Sequence, residues 1–445
     1  MAAKKLNIVL NGTEVVAALI QSSTGKIACE YTTGWLARKN HFPISFSIPM
    51  VRGDQAGRPV VNYLWNLLPD NDDTLKAWAK EFGVSAQNPF ALLSKVGEDT
   101  AGAFQFVSDE WLTENVGNKG AIDWIDEKEV HDRLARLREE RTWTARRPTD
   151  RGHFSLAGAQ PKIALLNQEG RWGIPSGRIP TTHILKPPMP DHPGVIENEH
   201  ACLRLASRLG MITAESAVQH FGDEIAIVVK RYDREIRKGG LYRLHQEDMC
   251  QALGVHPSKK YQTLGGPTIE QISRNVLKLT TDAKDANLRF FQAIAFNFLI
   301  GGTDAHGKNF SIVHLPGDRS YLAPLYDIIS FYPYLQNPND YQTLKMAMSV
   351  SKKYYFDDVM ERHWAALANA MEVDADAALE VVRSYAERIP DEMAAVRNEC
   401  HQSGLKHEVL DKLVDAFSKR CTRATRIYKP VAVEPEISSG PGRGF

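Results

Sequence analysis

Apolar and polar residues alternate from residue 5 to about residue 50, as in Leu6-Asn7-Ile8-Val9-Leu10 and Ile44-Ser45-Phe46-Ser47-Ile48, and Asn11-Gly12 marks a hairpin turn. This period of two predicts a small antiparallel sheet. Residues 60–94 switch to helical spacing, with Pro69-Asp70-Asn71-Asp72-Asp73 supplying acidic capping residues ahead of Leu75-Lys76-Ala77-Trp78. Residues 103–107 return to a strand, and residues 125–140 read as a charged helix. Short apolar strands are expected at 163–166, 181–186 and 225–232, and an amphipathic helix at 196–209. Residues 244–254 read as a capped helix with Gly254 just past its end, residues 259–267, with Gly265-Gly266-Pro267, as a flexible loop, and residues 268–279 as helical. Residues 288–300 (LRFFQAIAFNFLI) are too apolar for one exposed stripe and predict a buried helix that stops at Gly301-Gly302. A strand at 321–325, a polar loop at 337–343 and a return to apolar structure at 344–348 follow. Residues 366–371, 377–389 and 405–417 place apolar side chains at spacings of three and four, as in a closing helical bundle.

These patterns divide the chain into a β-rich subdomain at 1–110, a middle segment at 111–240, a helical part at 241–430 and a tail at 431–445. The tail is rich in Gly, Pro and Ser and is expected to be disordered. A length of 445 residues suits several domains. Lys plus Arg and Asp plus Glu balance at 54 each, so no global field points to nucleic acid or a membrane as main partner. The first residues lack an apolar signal core, and no apolar run reaches the ~20 residues that span a bilayer, so a cytoplasmic protein without membrane contact is expected. The five cysteines are scattered without metal-type spacing and read as free thiols.

The candidate chemistry concentrates after the buried helix, in Gly301-Gly302-Thr303-Asp304-Ala305-His306-Gly307-Lys308-Asn309-Phe310. Asn309 follows Asp304 by five positions, and Asp327 comes later beyond a strand. Phosphoryl transfer uses such a set: an Asp that accepts the hydroxyl proton, an Asn five positions on and a later Asp that hold magnesium. The order Asp-x-His-x-x-Asn resembles the phosphoinositide-kinase form of this loop. A turn in which Asp and Asn cap backbone groups is the plain alternative.

Three upstream stretches fit the same chemistry. His153-Phe154-Ser155-Leu156-Ala157-Gly158-Ala159-Gln160-Pro161-Lys162 is a small-residue turn whose amides suit phosphate oxygens, although a plain β-turn explains a single glycine as well. Lys186 ends the strand Thr181-Thr182-His183-Ile184-Leu185-Lys186, where kinases place a phosphate-contacting lysine paired to a helical Glu. Glu197 and Glu199 are the candidates, Glu199 being preferred; either also suits a first helical turn. The strand ending in Lys230-Arg231-Tyr232 suits the adenine side through its backbone. The basic runs at 141–151 and 419–426 read first as solvated surface and helix-end charge, with an anion or DNA as minority readings.

Several ordered blocks together resemble the HipA family, the kinase toxins of bacterial toxin–antitoxin pairs. They are Ser155-Leu156-Ala157-Gly158-Ala159-Gln160 with Lys162, the strand ending at Lys186, Gln246-Glu247-Asp248-Met249-Cys250-Gln251, Thr303 to Phe310, and Tyr326-Asp327-Ile328-Ile329-Ser330. Asn66-Leu67-Leu68-Pro69-Asp70 and Leu344-Lys345-Met346-Ala347-Met348 extend the resemblance over most of the chain. It implies an α+β, two-lobed, phosphoinositide-kinase-like or protein-kinase-like fold with an N-terminal β-rich subdomain and an all-helical C-terminal subdomain. The middle segment would be the nucleotide-binding part of the core, and 241–430 the lobe with catalytic loop and metal site.

The resemblance further implies ATP and Mg2+ as cofactors, Asp304 as catalytic base, and Asn309 and Asp327 as metal ligands. Lys186 would contact the nucleotide with Glu199 in support. Leu156, Ala157, Gly158, Ala159, Gln160 and Lys162 would form the phosphate loop. Lys230, Arg231, Tyr232, His306, Gly307, Lys308 and Asn309 would complete the ATP site. Lys230 departs from the acid expected there in a close relative. Ser155 would be autophosphorylated, ejecting the loop and switching the kinase off, with Arg146, Arg147 and Arg151 able to hold the modified serine. The implied partners are a HipB-like helix-turn-helix antitoxin, operator DNA mainly through that antitoxin in transcriptional co-repression, and an aminoacyl-tRNA synthetase of the glutamyl type as protein substrate. A small-molecule or lipid kinase using the same cleft, or a silent subunit of a repressor complex, are the alternatives.

Overall fold

Alternation at the N-terminus produces the expected sheet in a computed structural model that describes residues 3–428 apart from 116–117, 142–146, 148–149, 151–152 and 239, with only the backbone of 338–339. Strands Lys4–Leu10 and Glu14–Gln21 pair antiparallel around Asn11 and Gly12, both at positive φ (49° and 68°). A primed hairpin turn requires that conformation, which Asn and Gly adopt most readily. Ile27–Tyr31, Gln55–Ala56 and Phe104–Val107 complete a five-stranded sheet. Helices Arg58–Asn66, Asp72–Phe82 and Pro89–Val96 bury Tyr63, Leu64, Trp78 and Leu93 in its core. Asn71 and Asn88 cap the second and third of these, each accepting backbone N–H bonds.

A second, six-stranded antiparallel sheet forms the middle of the molecule, in the order Ser216–Phe221, Glu224–Lys230, His183–Lys186, Ile163–Gln168, Arg171–Pro175 and Ile122–Ile125. Helix Val195–Arg208 inserts Ala201, Cys202 and Leu205 into the large core of the other lobe. That lobe is built around helix Ala283–Ile300, buried on nearly every face and stopped by Gly301 in the left-handed conformation (φ 69°). Glu361–Ala370, Ala375–Gln402 and Glu408–Ile427 close it. The second of these continues through Pro390, beyond the expected end at 389, because Ile389, Met393 and Val396 stay buried against the core and hold the helix despite the missing N–H.

Two expectations change. The C-terminal lobe is helical from Glu361 onward, but it also holds the three-stranded sheet His245–Asp248, Ser311–Leu315, Arg319–Leu322 and the hairpin Lys345–Val350 with Lys353–Tyr355. Residues 244–254 are not one helix: a strand runs to Asp248, and only Met249–Ala252 is helical, under an Asp248–Gln251 capping box. The strand's buried polar side chains reach distant partners. His245 Nε2 lies 2.8 Å from the Ile44 carbonyl, and Glu247 accepts from Phe46 N and pairs with His314, both at 2.9 Å. Basic residues Arg146 and Arg151, and the tail at 431–445, lie outside the described residues.

Candidate active site

The cleft between the middle sheet and the helical lobe has a volume of about 470 Å3 and is lined from three directions. The phosphate-loop candidates Leu156, Ala157, Gly158, Ala159, Gln160 and Lys162 form one wall, Lys186, Glu199 and Tyr232 a second, and Asp304, Asn309 and Asp327 the floor. Gly158 holds φ at +105°, and a Cβ there would lie 2.5 Å from Lys162 Nζ, so the loop conformation depends on its lacking a side chain. Lys162 Nζ donates to the Ala157 carbonyl at 2.6 Å. Burial, with the nearby Lys186 charge, brings its pKa down to about 8.

Lys186 emerges from the end of its strand between two carboxylates, Glu199 at 2.8 Å and Asp327 at 2.9 Å. Burial works against its charge, but Asp327 and Glu199 outweigh it and raise the lysine's pKa. Burial likewise works against the Asp327 carboxylate, and the Lys186 ammonium holds it well below the usual range. The deeper Glu199 is pushed upward by its burial. The helical partner of Lys186 is therefore Glu199. Asp327 has φ 54°, a left-handed conformation that Asp tolerates better than most residues and that is concentrated at functional sites. Asn309 Nδ2 donates to the Asp327 carbonyl at 3.2 Å, tying the two candidate metal ligands together.

Asp304 opens onto the cleft, with 60% of its side-chain surface accessible. The cleft walls still desolvate the carboxyl and, with a smaller push from Asp327, raise its pKa, against a lowering hydrogen bond from the Tyr261 hydroxyl. Tyr261 was not legible as a site residue, because residues 259–267 read only as a flexible loop; the structure lays this side chain over Asp304, with its ring edge-on to His306 at 5.0 Å. His306 is buried, accepts from Lys308 N at 3.3 Å through Nδ1, and is kept neutral by burial, its pKa brought down to about 3. Its Nε2 lies 3.8 Å from Asp304, too long for a hydrogen bond. It organises the loop.

Of the other expected ATP contacts, Lys230, Arg231, Tyr232, His306 and Lys308 line the cleft, and the charged ends of the lysines and the arginine have protein partners. Gly307 lies against Pro267 and Cys250, where a Cβ would come within 2.9 and 3.0 Å, and is absent from the cleft lining. The Lys308 ammonium is held by Asp70 at 3.0 Å and Asn66 Oδ1 at 3.1 Å. Lys230 turns its ammonium to the exposed Glu215 at 3.0 Å. Arg231 lines the cleft, and its guanidinium is committed to Asp233 and Asp99 at 2.9 and 3.3 Å, and to the Thr181 hydroxyl and Thr100 carbonyl. Tyr232 stacks on Tyr326 with centroids 5.7 Å apart and hydrogen-bonds Gln246.

Ser155 is fully buried, donating from Oγ to the Leu67 carbonyl at 2.7 Å and from N to the Asp99 carbonyl at 2.8 Å. Arg147 pairs with Glu129 at 2.7 Å. Among the described residues no cluster of three or more His, Cys, Asp or Glu side chains forms a metal cage. Asp327 with Asn309 nonetheless suits magnesium, which is commonly held by one or two protein oxygens together with phosphate oxygens and water. No described helix is long and apolar enough to cross a membrane.

Comparison with known proteins matches residues 154–393 to the HipA-like C-terminal domain and residues 6–107 to the HipA N-terminal domain. The putative kinase Y4mE of Sinorhizobium fredii is 32% identical over 408 residues, 88% of this chain and 91% of the relative. The serine/threonine-protein kinase toxin HipA of Shewanella oneidensis is 30% identical over 381 residues, 83% and 84% of the two chains. A solved structure of the Shewanella oneidensis HipA, HipB and operator DNA complex superposes with a TM-score of 0.78 at 27% identity, covering 95% of this chain and 97% of the other. The architecture is thus the two-lobed α+β fold of these kinases.

Proposed function

The chain belongs to the HipA family, and on that premise we propose that it is an ATP- and Mg2+-dependent serine/threonine protein kinase acting as the toxin of a toxin–antitoxin pair. The observation that carries the reading is the convergence of Lys186, Glu199, Asp327, Asn309 and Asp304 on one cleft, from segments up to 141 positions apart. Lys186, held between Glu199 and Asp327, presents its ammonium where α- and β-phosphates bind. Backbone groups of residues 156–160 face the phosphates, and Asp304 accepts the proton of the attacking hydroxyl. Asp327 and Asn309 would hold Mg2+, which when bound neutralises charge on the transferring phosphoryl group. Tyr232 and the strand before it border the adenine side.

Ser155 is the proposed autophosphorylation site. Its buried hydroxyl cannot accommodate a phosphate carrying about −1.5 to −2 charges, so modification requires the loop to leave the cleft and leaves nucleotide binding switched off. The relative solved with HipB and operator DNA supports an antitoxin of that kind and operator DNA as partners, and the proposal has DNA reached mainly through the antitoxin, in transcriptional co-repression. The proposed cellular target is an aminoacyl-tRNA synthetase of the glutamyl type, whose modification would arrest translation in the cytoplasm.

Asp304→Asn should lower phosphoryl transfer by roughly 10² to 10⁴-fold through loss of the base. Labelling by radioactive ATP that is unchanged in this variant would overturn the assignment. Peptide mapping of protein incubated with ATP should place a phosphate on Ser155, and its absence while ATP still binds would remove the proposed switch.

A further inference from the structure

The segment Asn66-Leu67-Leu68-Pro69-Asp70 belongs to the N-terminal module, yet it reaches the catalytic centre. Helix Arg58–Asn66 delivers it to the rim of the cleft, where Asn66 and Asp70 are among the lining residues. Asp70 Oδ1 lies 3.0 Å from the Lys308 ammonium of the catalytic loop, and its Oδ2 accepts from Lys260 at 3.1 Å. Lys308 also donates to Asn66 Oδ1 at 3.1 Å and to the Asn66 carbonyl at 3.3 Å. Lys260 adjoins Tyr261, which touches Asp304, and its carbonyl accepts from Gly307 N at 3.3 Å.

The same five residues grip the phosphate loop at two points. Asp70 N donates to the Gly158 carbonyl at 3.3 Å, and the Leu67 carbonyl accepts from Ser155 Oγ at 2.7 Å. One short segment therefore touches the two loops whose relative placement sets the distance from nucleotide to base. The Asp70 side chain is 7% exposed. Burial pushes its carboxyl up, but Lys308 and Lys260 outweigh that and hold it below the ordinary aspartate range. An uncharged side chain here would leave the nearly buried Lys308 ammonium without its closest carboxylate, the next one, Asp248, being 3.9 Å away.

We propose that Asp70 is a positioning residue of the phosphoryl-transfer site, holding the phosphate loop and the catalytic loop in register, so that the N-terminal module is a working part of the active site. This rests on the kinase reading above. The hold is mechanical as well as electrostatic: the backbone of 67–70 fixes the loop in its inward position, and the Asp70 carboxylate fixes Lys308 and Lys260. Release of Ser155 from Leu67 would loosen the same clamp.

The test uses full-length Asp70→Asn, which retains the backbone contacts and removes the charge. A misplacement of about 1 Å between reacting groups costs on the order of 10²-fold in rate, so kcat should fall by that order while KM for ATP changes far less. Amide hydrogen exchange of the nucleotide-free protein should speed up in both 155–162 and 304–309. A protein of lowered stability alone would instead exchange faster throughout. Wild-type kcat and KM together with unchanged exchange in both segments overturn the proposal. Absence of turnover in the wild type strikes the kinase reading instead, and the exchange comparison still decides the clamp. Should Asp70→Asn not fold, Lys260→Met, which removes one of the two ammonium partners, is judged by the same two criteria.

Discussion

Asp304, the proposed base, and Tyr261 share one hydrogen bond, and that contact bears on how the carboxyl titrates. A general base works ionised, so activity rises as pH climbs through the Asp304 pKa. Desolvation by the cleft, followed by the charge of Asp327, lifts that pKa above an ordinary aspartate's, and the donated Tyr261 hydroxyl pulls it part of the way back. In Tyr261→Phe the carboxylate loses its donor, its pKa rises further, and the acid limb of kcat/KM moves to higher pH. A profile that stays in place, or moves to lower pH, would show that the hydroxyl does not support the carboxylate during turnover. Neutral His306 should contribute no second limb near pH 6.5, because burial has brought its pKa down to about 3. Asp304 and Asn309 were legible as candidates because both belong to one loop with a fixed spacing. Tyr261 was not, since nothing in residues 259–267 distinguishes a tyrosine that covers a carboxylate from one on a surface turn.

At the scale of elements, the helix Ala283–Ile300 and its stop deliver the candidate catalytic loop. Asp282 caps its start by accepting from Asp285 N at 3.0 Å, and Gly301 ends it at φ 69°. A Cβ at Gly301 would meet the Tyr332 ring at 2.6 to 2.8 Å. Gly301→Ala should therefore destabilise the protein by at least about 1–2 kcal/mol from the left-handed backbone alone, more once Tyr332 is displaced, and turnover should fall because Asp304 lies three residues on. A urea-unfolding midpoint equal to wild type would contradict this account. The apolar run and the glycine pair made this helix readable. Residues 244–254 are not the single helix expected, because buried polar side chains on alternate positions carry no apolar signal; residues 245–248 form a strand by pairing with 311–314, and Ile44, Phe46 and His314 supply partners for its buried side chains.

Across the whole molecule, a buried charge cluster locks the N-terminal module to the middle of the molecule. Asp99 lies within 2.8 Å of Arg234, 3.1 Å of Arg243 and 3.3 Å of Arg231, and accepts from the Thr181 hydroxyl at 2.6 Å. Its burial opposes ionisation, and the three arginines outweigh it, holding the carboxyl far below the usual range. Asp99→Asn leaves those cations short of a counter-charge and should cost about 3–5 kcal/mol, read as a lower unfolding midpoint. The depressed pKa means that this stabilisation is complete above an ordinary aspartate pKa of about 3.9 and is lost as pH falls below it toward the folded value. The acid-induced loss should accordingly be shallower in Asp99→Asn than in wild type; an equal loss would remove Asp99 from this role.

Local order along the chain was enough for the Asn11-Gly12 hairpin, the buried helix and its glycine stop, and the spacing of Asp304 and Asn309, since each depends on neighbours within a turn or a loop. The ordered motif blocks likewise sufficed to point to the family. Side-chain commitments needed three dimensions. Lysine and arginine are long and can pair with any carboxylate the fold brings near, so Lys308 as a partner of Asn66, 242 positions away, and Arg231 as a partner of Asp99, 132 positions away, have no signature in a linear pattern. The same freedom put Lys186 between Glu199 and Asp327 while turning Lys230 out toward Glu215. Charge pairing across long separations is set by which surfaces pack together, and here that packing brings the Asn66–Asp70 segment of the N-terminal module to the loop that carries Asp304 and Lys308.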